Sequence, residues 1–144
     1  VSGDPYRLQR FLDAQDQGGV YERVLGELRA GRKTSHWIWF VFPQVAGLGR
    51  SPASREYAIA SLDEARAYLA HPVLGPRLHE CAAALLAHAD KSATEVLGGI
   101  DAVKLRSSMT LFSRAAPDEP LFEQVLDAFF DGDADPATEQ LIAP

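Results

Sequence analysis

Asp101-Ala-Val-Lys104-Leu-Arg-Ser107-Ser108-Met-Thr110-Leu-Phe112 is the stretch from which both the fold and a candidate site can be read. It holds no glycine or proline. Placed on a helix at about 100° per residue, Asp101, Lys104 and Ser108 fall within roughly 60° of one another, so three polar groups share one stripe. Leu111 borders that stripe on one side and Leu105 and Phe112 on the other, which turns the trio inward with the apolar residues. A buried lysine and aspartate must be paired, hydrogen-bonded or ligand-bound, because an isolated buried charge costs several kcal/mol. One reading is structural: Asp101 caps a helix running to about Arg114 and Lys104 bridges to it at i, i+3. The other is functional: Lys104 binds an anionic group or serves as an acid, and Ser107, Ser108 or Thr110 orients a ligand through its hydroxyl.

Outward from this stretch the chain is punctuated by helix signals. Ser92-Ala-Thr-Glu95 is a capping box, in which serine and glutamate satisfy each other's backbone amides, and Gly98-Gly99 ends the short helix it starts. Residues 73–88 are rich in alanine and leucine and read as a long helix, with Gly75-Pro76 delaying its start. Ser61-Leu-Asp-Glu64 is a second capping box, opening a helix to about Leu69 that His71-Pro72 stops. Towards the N-terminus, Asp4-Pro5 opens a helix over residues 6–15. Gly18-Gly19 breaks it, and Val20, Tyr21, Val24, Leu25 and Leu28 recur at helical spacing until Gly31 supplies a left-handed cap. Towards the C-terminus, Asp118 or a neighbour caps a helix over residues 121–130, and Asp135-Pro136 opens a last short one. About seven helices, no alternating strand and helix rhythm and no repeat of 20 to 50 residues favour an all-α, multihelical fold in one domain spanning residues 1–144.

One segment resists assignment. His36-Trp-Ile-Trp-Phe-Val-Phe-Pro-Gln44 carries both tryptophans of the chain, and residues 37–42 have the bulk and β-branching of a buried strand but a length that suits either element. Pro43 ends it. Gln44-Val-Ala-Gly47-Leu-Gly49-Arg50-Ser51-Pro52 follows as an irregular loop. Trp37 and Trp39 form either core or a stacking platform for a planar ligand, with His36 available for proton transfer because its side chain titrates near neutrality. In the loop, Gly47 and Gly49 permit close backbone approach, and Gln44, Arg50 and Ser51 could hold a phosphate or carboxylate. Ordinary turn chemistry explains the same residues, since no Gly-Lys-Ser/Thr ending completes a phosphate loop.

Composition bounds what such a site serves. The 144 residues are 47% hydrophobic and 24% charged, as expected of one globular domain with a sizeable core. The net charge of −6 argues against sequence-independent nucleic-acid binding, which needs clustered cations. The one basic cluster, Arg29-Ala-Gly-Arg32-Lys33, sits at a helix end, where it complements the helix dipole. The single cysteine, Cys81, lies in an apolar run, so there is neither a disulfide framework nor a zinc set. His71, His79 and His88 lack the i, i+4 spacing of a helical metal pair, and no metal or cofactor is expected. No segment has the roughly 18 consecutive apolar residues that span a bilayer, and residues 1–5 lack a basic-then-apolar leader, so a cytoplasmic location is expected. Ser107 and Ser108 lack a Gly-x-Ser-x-Gly elbow, which disfavours a serine hydrolase.

Taken together, His36-Trp-x-Trp-Phe-x-Phe-Pro-Gln44, Gly47-Leu-Gly-x-Ser51, Tyr57, Glu64-Ala, Tyr68-Leu, Leu74-Gly-x-Arg-Leu78 and Asp101-x-x-Lys-Leu-x-Ser-Ser-Met-Thr-Leu-Phe112 resemble the domain-of-unknown-function family 1810. The resemblance covers nearly the whole chain and implies a compact multihelical fold without an established activity. The calpastatin label sometimes attached to that family does not suit the residues: calpastatin-type inhibitors are disordered and poor in aromatics, whereas this chain has the composition and capping of a packed domain. More distantly, Lys104, Met109, Phe112 and the leucine pattern of residues 121–126 are similar to the C-terminal part of the NAD- and ADP-ribose-associated helical family, which implies ligands to try.

Two functional expectations follow. In the first, His36, Trp37, Trp39, Gln44, Arg50, Asp101, Lys104 and Ser108 gather around a planar, anionic small molecule such as a nucleotide or ADP-ribose derivative. If the reaction is N-glycosidic hydrolysis, Asp101 stabilises developing positive charge and Lys104 holds phosphate or ribose oxygens. In the second, the domain is a protein-interaction module and the polar stripe is a structural network. The first requires His36, Arg50 and Lys104 to converge on one concavity; the second does not.

Overall fold

A computed structural model describes residues 4–142; the expectation about a leader rests partly on residues 1–3, which lie outside the described residues. Among the described residues ten α-helices and one 3-10 turn follow one another: α1 (Gln9–Asp16), the turn Gln17–Gly19, α2 (Val20–Ala30), α3 (Ile38–Val41), α4 (Pro52–Glu56), α5 (Leu62–Ala70), α6 (Leu74–Leu86), α7 (Ala93–Leu97), α8 (Gly99–Ala115), α9 (Leu121–Phe130) and α10 (Pro136–Ile142). The fold is all-α. The one extended pairing among the described residues is an isolated parallel bridge between Val45 and Ile59, which ties the loop after α3 to the chain entering α5.

The longest helix, α8, is the axis of the molecule, packed by α3, α5, α7, α9 and α10. Its residues 107–113 are buried without a break, so it has no solvent face there. Most of its buried hydroxyls are bonded: Thr110 donates to the Arg106 carbonyl and Ser113 to the Thr110 carbonyl, while Ser107 donates to the Asp135 carboxylate, the nearer and charged of its two acceptors, and Ser108 has no partner among the described residues. Around it Phe11, Tyr68, Phe112 and Phe122 form a chain of aromatic contacts, with Phe11 meeting Tyr68 edge-on at 5.1 Å between ring centres.

Several helix ends form as the residues dictate. Ser92 and Glu95 make both halves of the capping box. Gly31 takes φ +74° and closes α2. Asp135 caps α10 by accepting from the Thr138 amide at 3.1 Å. Others are corrected. The first helix begins at Gln9 rather than residue 6, because Arg7 adopts φ +53° while the Asp4 carboxylate takes the Leu8 and Gln9 amides from below. At the second box only the serine half forms: Glu64 bonds the Ala60 amide and Arg10 instead of Ser61. Pro120, not Asp118, stands at the N-cap of α9, and no side chain caps it. Asp101 lies inside the first turn of α8, which starts at Gly99 behind Gly98. Residues 37–42 are neither strand nor long helix: one helical turn buries Trp37, Ile38, Val41 and Phe42 at helical spacing, and Pro43 stops it. A further short helix, α4, follows the loop, with Ser51 as cap and Pro52 at its first position.

Candidate functional site

Glu27, on the buried face of α2, organises the segment between α2 and α3. Its carboxylate accepts from the Thr34 amide at 2.7 Å, the Ser35 amide at 3.0 Å, the Ser35 hydroxyl, and the Trp37 indole N–H at 3.0 Å. Burial alone would raise its pKa; the hydrogen bonds from Ser35, Thr34 and Trp37 outweigh burial and bring it down to about 2. Gathered on this anion, the segment delivers Lys33 to α8. Lys33, 5% exposed at its side chain, pairs with Asp101 at 2.7 Å and lies over the Trp37 ring. The partner of Asp101 is therefore Lys33, and the expected Asp101–Lys104 bridge is not made. Likewise Lys33 is no mere complement to a helix dipole, while Arg29, in the last turn of α2, pairs at the surface with Glu80.

With Asp101 engaged elsewhere, Lys104 makes no hydrogen bond or ion pair among the described residues; its ammonium sits 5.1 Å from the centre of the Trp39 ring. Such a cation–π contact contributes about 0.5–1 kcal/mol at an exposed site. The indole N–H of Trp39 is buried and has no acceptor among the described residues, a cost of about 1–3 kcal/mol.

His36, Trp39, Asp101 and Lys104 line one cavity of about 430 Å³ together with Leu97, Gly98, Gly99 and Ile100. That volume lies in the roughly 300–1,000 Å³ range of small-molecule sites. Its floor is the start of α8. No side chain caps this helix, and its first internal bond runs from the Ala102 amide to the Gly98 carbonyl, which leaves the amides of Gly99, Ile100 and Asp101 without helical acceptors. Because Lys33 and Asp101 neutralise each other, Lys104 and the positive end of the helix set the sign of the potential there. A second cavity, also about 430 Å³, adjoins the first along α8 and shares Ile100 and Lys104 with it. Gln44, Leu48, Gly49, Val103, Ser107, Asp135 and Ala137 complete its lining.

The structure thus brings His36, Trp39, Gln44, Gly49, Asp101, Lys104 and Ser107 onto one face of α8. The remaining candidates lie elsewhere. Trp37 is 2% exposed and bound to Glu27, so it is core and offers no face to a ligand. Ser108 and Thr110 are fully buried beneath the surface; Thr110 holds the Asp135 amide at 2.8 Å, and the Ser108 hydroxyl has no partner among the described residues. Ser51 caps α4. Gly47 takes φ +104° against Leu141. Arg50 is exposed and lines neither cavity, so of the three residues whose convergence the ligand reading required, only His36 and Lys104 meet. Gly49 has a steric reason to be glycine, since a Cβ there would come within 2.4 Å of the Ser54 Cβ.

The other histidines have structural partners. His71 Nδ1 accepts from the amides of Val73 and Leu74, His79 bridges the Gly75 carbonyl and Glu119, and His88 meets the Arg29 carbonyl. Among the described residues no three of histidine, cysteine, aspartate or glutamate are grouped to hold a metal. None of the helices described is long and apolar enough to cross a membrane. What the sequence reading missed is Glu27 as the support of the segment before α3, and the second role of Asp135: it is expected as the cap of the last helix, but the bond it accepts from Ser107, 28 residues away, is announced by no local pattern.

Comparison with known proteins agrees with this architecture. The family model described as Protein of unknown function (DUF1810) matches residues 5–142. The crystal structure of the conserved hypothetical protein Rv1873 from Mycobacterium tuberculosis is similar to this chain at 49% identity and a TM-score of 0.94, covering 98% of this chain and 99% of that one. No curated protein matches. The likeness to the NAD- and ADP-ribose-associated family finds no support in these comparisons.

Proposed function

The chain belongs to the family Protein of unknown function (DUF1810), and we propose that this member binds a planar, anionic small molecule of the nucleotide class on the exposed face of α8. The observation that carries the reading is Lys104: a half-buried cation with no counter-ion among the described residues, laid over an indole at the junction of two cavities. A lysine so placed is poised for an incoming anion, and the uncapped amides at the start of α8 add donors of the same sense. Trp39 backs Lys104 in the first cavity, where His36 offers a donor or acceptor, and Leu48, Ile100 and Val103 of the second cavity offer apolar surface to a ring.

Of the convergence expected for this reading only His36 and Lys104 are present, so the reading rests on Lys104 without Arg50, and it is one of binding ahead of N-glycosidic hydrolysis. In a hydrolase Asp101 would stabilise positive charge developing on the sugar, but Lys33 at 2.7 Å already neutralises that carboxylate. A sensor or carrier needs only the affinity. The protein-interaction reading draws on a different observation: Ile100 and Val103 stand 75% and 63% exposed on the same face, where an apolar partner could cover them.

A thermal-shift comparison of the wild type with Lys104→Ala, against nucleoside monophosphates, dinucleotides including NAD and ADP-ribose, and inorganic phosphate, tests the proposal. A ligand at 100 times its dissociation constant stabilises the fold by about 2.7 kcal/mol. The expected result is a compound that stabilises the wild type and not the folded variant. Equal shifts in both proteins, or no shift with any compound, overturn it, and Ile100→Asp and Val103→Asp then test the face as a protein contact.

A further inference from the structure

We infer that the second cavity selects the ligand by its far end, taking a nucleoside monophosphate whose base carries an exocyclic amino group and disfavouring one that presents a carbonyl there. The inference rests on the ligand-binding reading of the first cavity and adds to it what the second recognises.

Asp135 is the distinguishing group of the second cavity. Its Oδ2 accepts three hydrogen bonds, from the Ser107 hydroxyl at 3.0 Å, the Thr138 amide at 3.1 Å and the Thr138 hydroxyl at 2.5 Å. These fix the carboxylate as the cap of α10 and leave Oδ1, in a residue that lines the cavity, with no donor among the described residues. The second cavity is therefore lined by a carboxylate with one oxygen not engaged among the described residues, and by the apolar Leu48, Ile100 and Val103. Such a site favours a flat apolar ring bearing an N–H donor. It disfavours a carbonyl, which would meet the carboxylate acceptor to acceptor.

Lys104 lines both cavities, and Ser107, which bonds Asp135, lies three residues further along α8, so an anion on Lys104 and a donor on Asp135 fall to a single ligand reaching from the first cavity into the second.

The test is isothermal titration of wild type and Asp135→Asn with adenosine 5′-monophosphate, inosine 5′-monophosphate and inorganic phosphate. For the wild type, adenosine monophosphate is expected to bind about 10- to 100-fold more tightly than inosine monophosphate, the range of a hydrogen bond to a charged group. Asn is as good a helix cap as Asp, so the variant keeps its fold. The three donors on Oδ2 hold the Asn carbonyl there and turn its NH₂ to the cavity, so the preference narrows or reverses towards inosine monophosphate. A structural role for Asp135 would weaken both nucleotides together and leave their ratio unchanged, which overturns the inference. So do equal affinities in the wild type, or nucleotides no tighter than phosphate; both leave the first cavity as an anion site. If neither nucleotide nor phosphate binds, the ligand reading itself falls and this inference with it.

Discussion

Replacing Glu27 by glutamine is the most informative perturbation of the scaffold, because one buried carboxylate holds four donors of the segment that delivers Lys33 to α8. The amide keeps one accepting oxygen but loses the charge, and its NH₂ faces donors. The pKa sets the size of the effect. Lowering it from 4.5 to about 2 corresponds, at 1.36 kcal/mol per unit, to about 3 kcal/mol of stability specific to the ionised form. The folded-state value lies below the unfolded one, so this contribution is complete above about pH 5 and disappears as pH falls towards 2. Urea unfolding of wild type and Glu27→Gln, followed by tryptophan fluorescence at a series of pH values from 7 to 2.5, reads it directly. The variant is expected to be less stable by about 3 kcal/mol at pH 7, a large part of the 5–15 kcal/mol typical of a domain, with the gap shrinking steadily below pH 5. A gap under about 0.5 kcal/mol at pH 7, or one that does not change with pH, would refute the reasoning, because exposed sites give effects of that size.

Three other outcomes follow. Gly75→Ala is expected to cost about 1–3 kcal/mol, because a Cβ there would lie 2.2 Å from the Leu69 carbonyl oxygen where α6 crosses the end of α5; denaturation midpoints check it. Cys81 is fully buried and its thiol is pushed up to about 12 by burial, so it should resist a thiol reagent at pH 8 in the native protein and react only at the rate of unfolding. Ser92→Ala removes the serine half of the complete capping box at α7, and a loss of about 1 kcal/mol is expected in the same denaturation assay.

Helix punctuation was legible because its causes are local. A glycine at Gly31, a box at Ser92 and Glu95 and a cap at Asp135 each satisfy amides or adopt a backbone angle within one turn, and a sequence displays such spacings. The stripe on α8 was legible for the same reason. Its pairing was not, because the choice between Lys104 and Lys33 as partner of Asp101 depends on how the chain returns across about 70 residues. The same holds for residues 37–42. Their composition fits a strand, but a strand needs a neighbour, and the bond from Trp37 to Glu27 together with Pro43 leaves room for one helical turn. Arg50 shows the converse: beside two glycines it has the look of an anion ligand, yet its side chain is exposed and lines neither cavity, although its neighbour Gly49 lines the second.

The central claim is that the face of α8 around Lys104 binds a planar anion, and the most direct measurement is a ¹H–¹⁵N correlation titration with adenosine 5′-monophosphate. The two indole N–H signals make the control internal. The account predicts saturable shifts of the Trp39 indole and the Gly98 and Gly99 amides, while the Trp37 indole, held by Glu27 in the core, stays in place. No saturable shift, or shifts gathered away from α8 with the Trp39 indole unmoved, would contradict it.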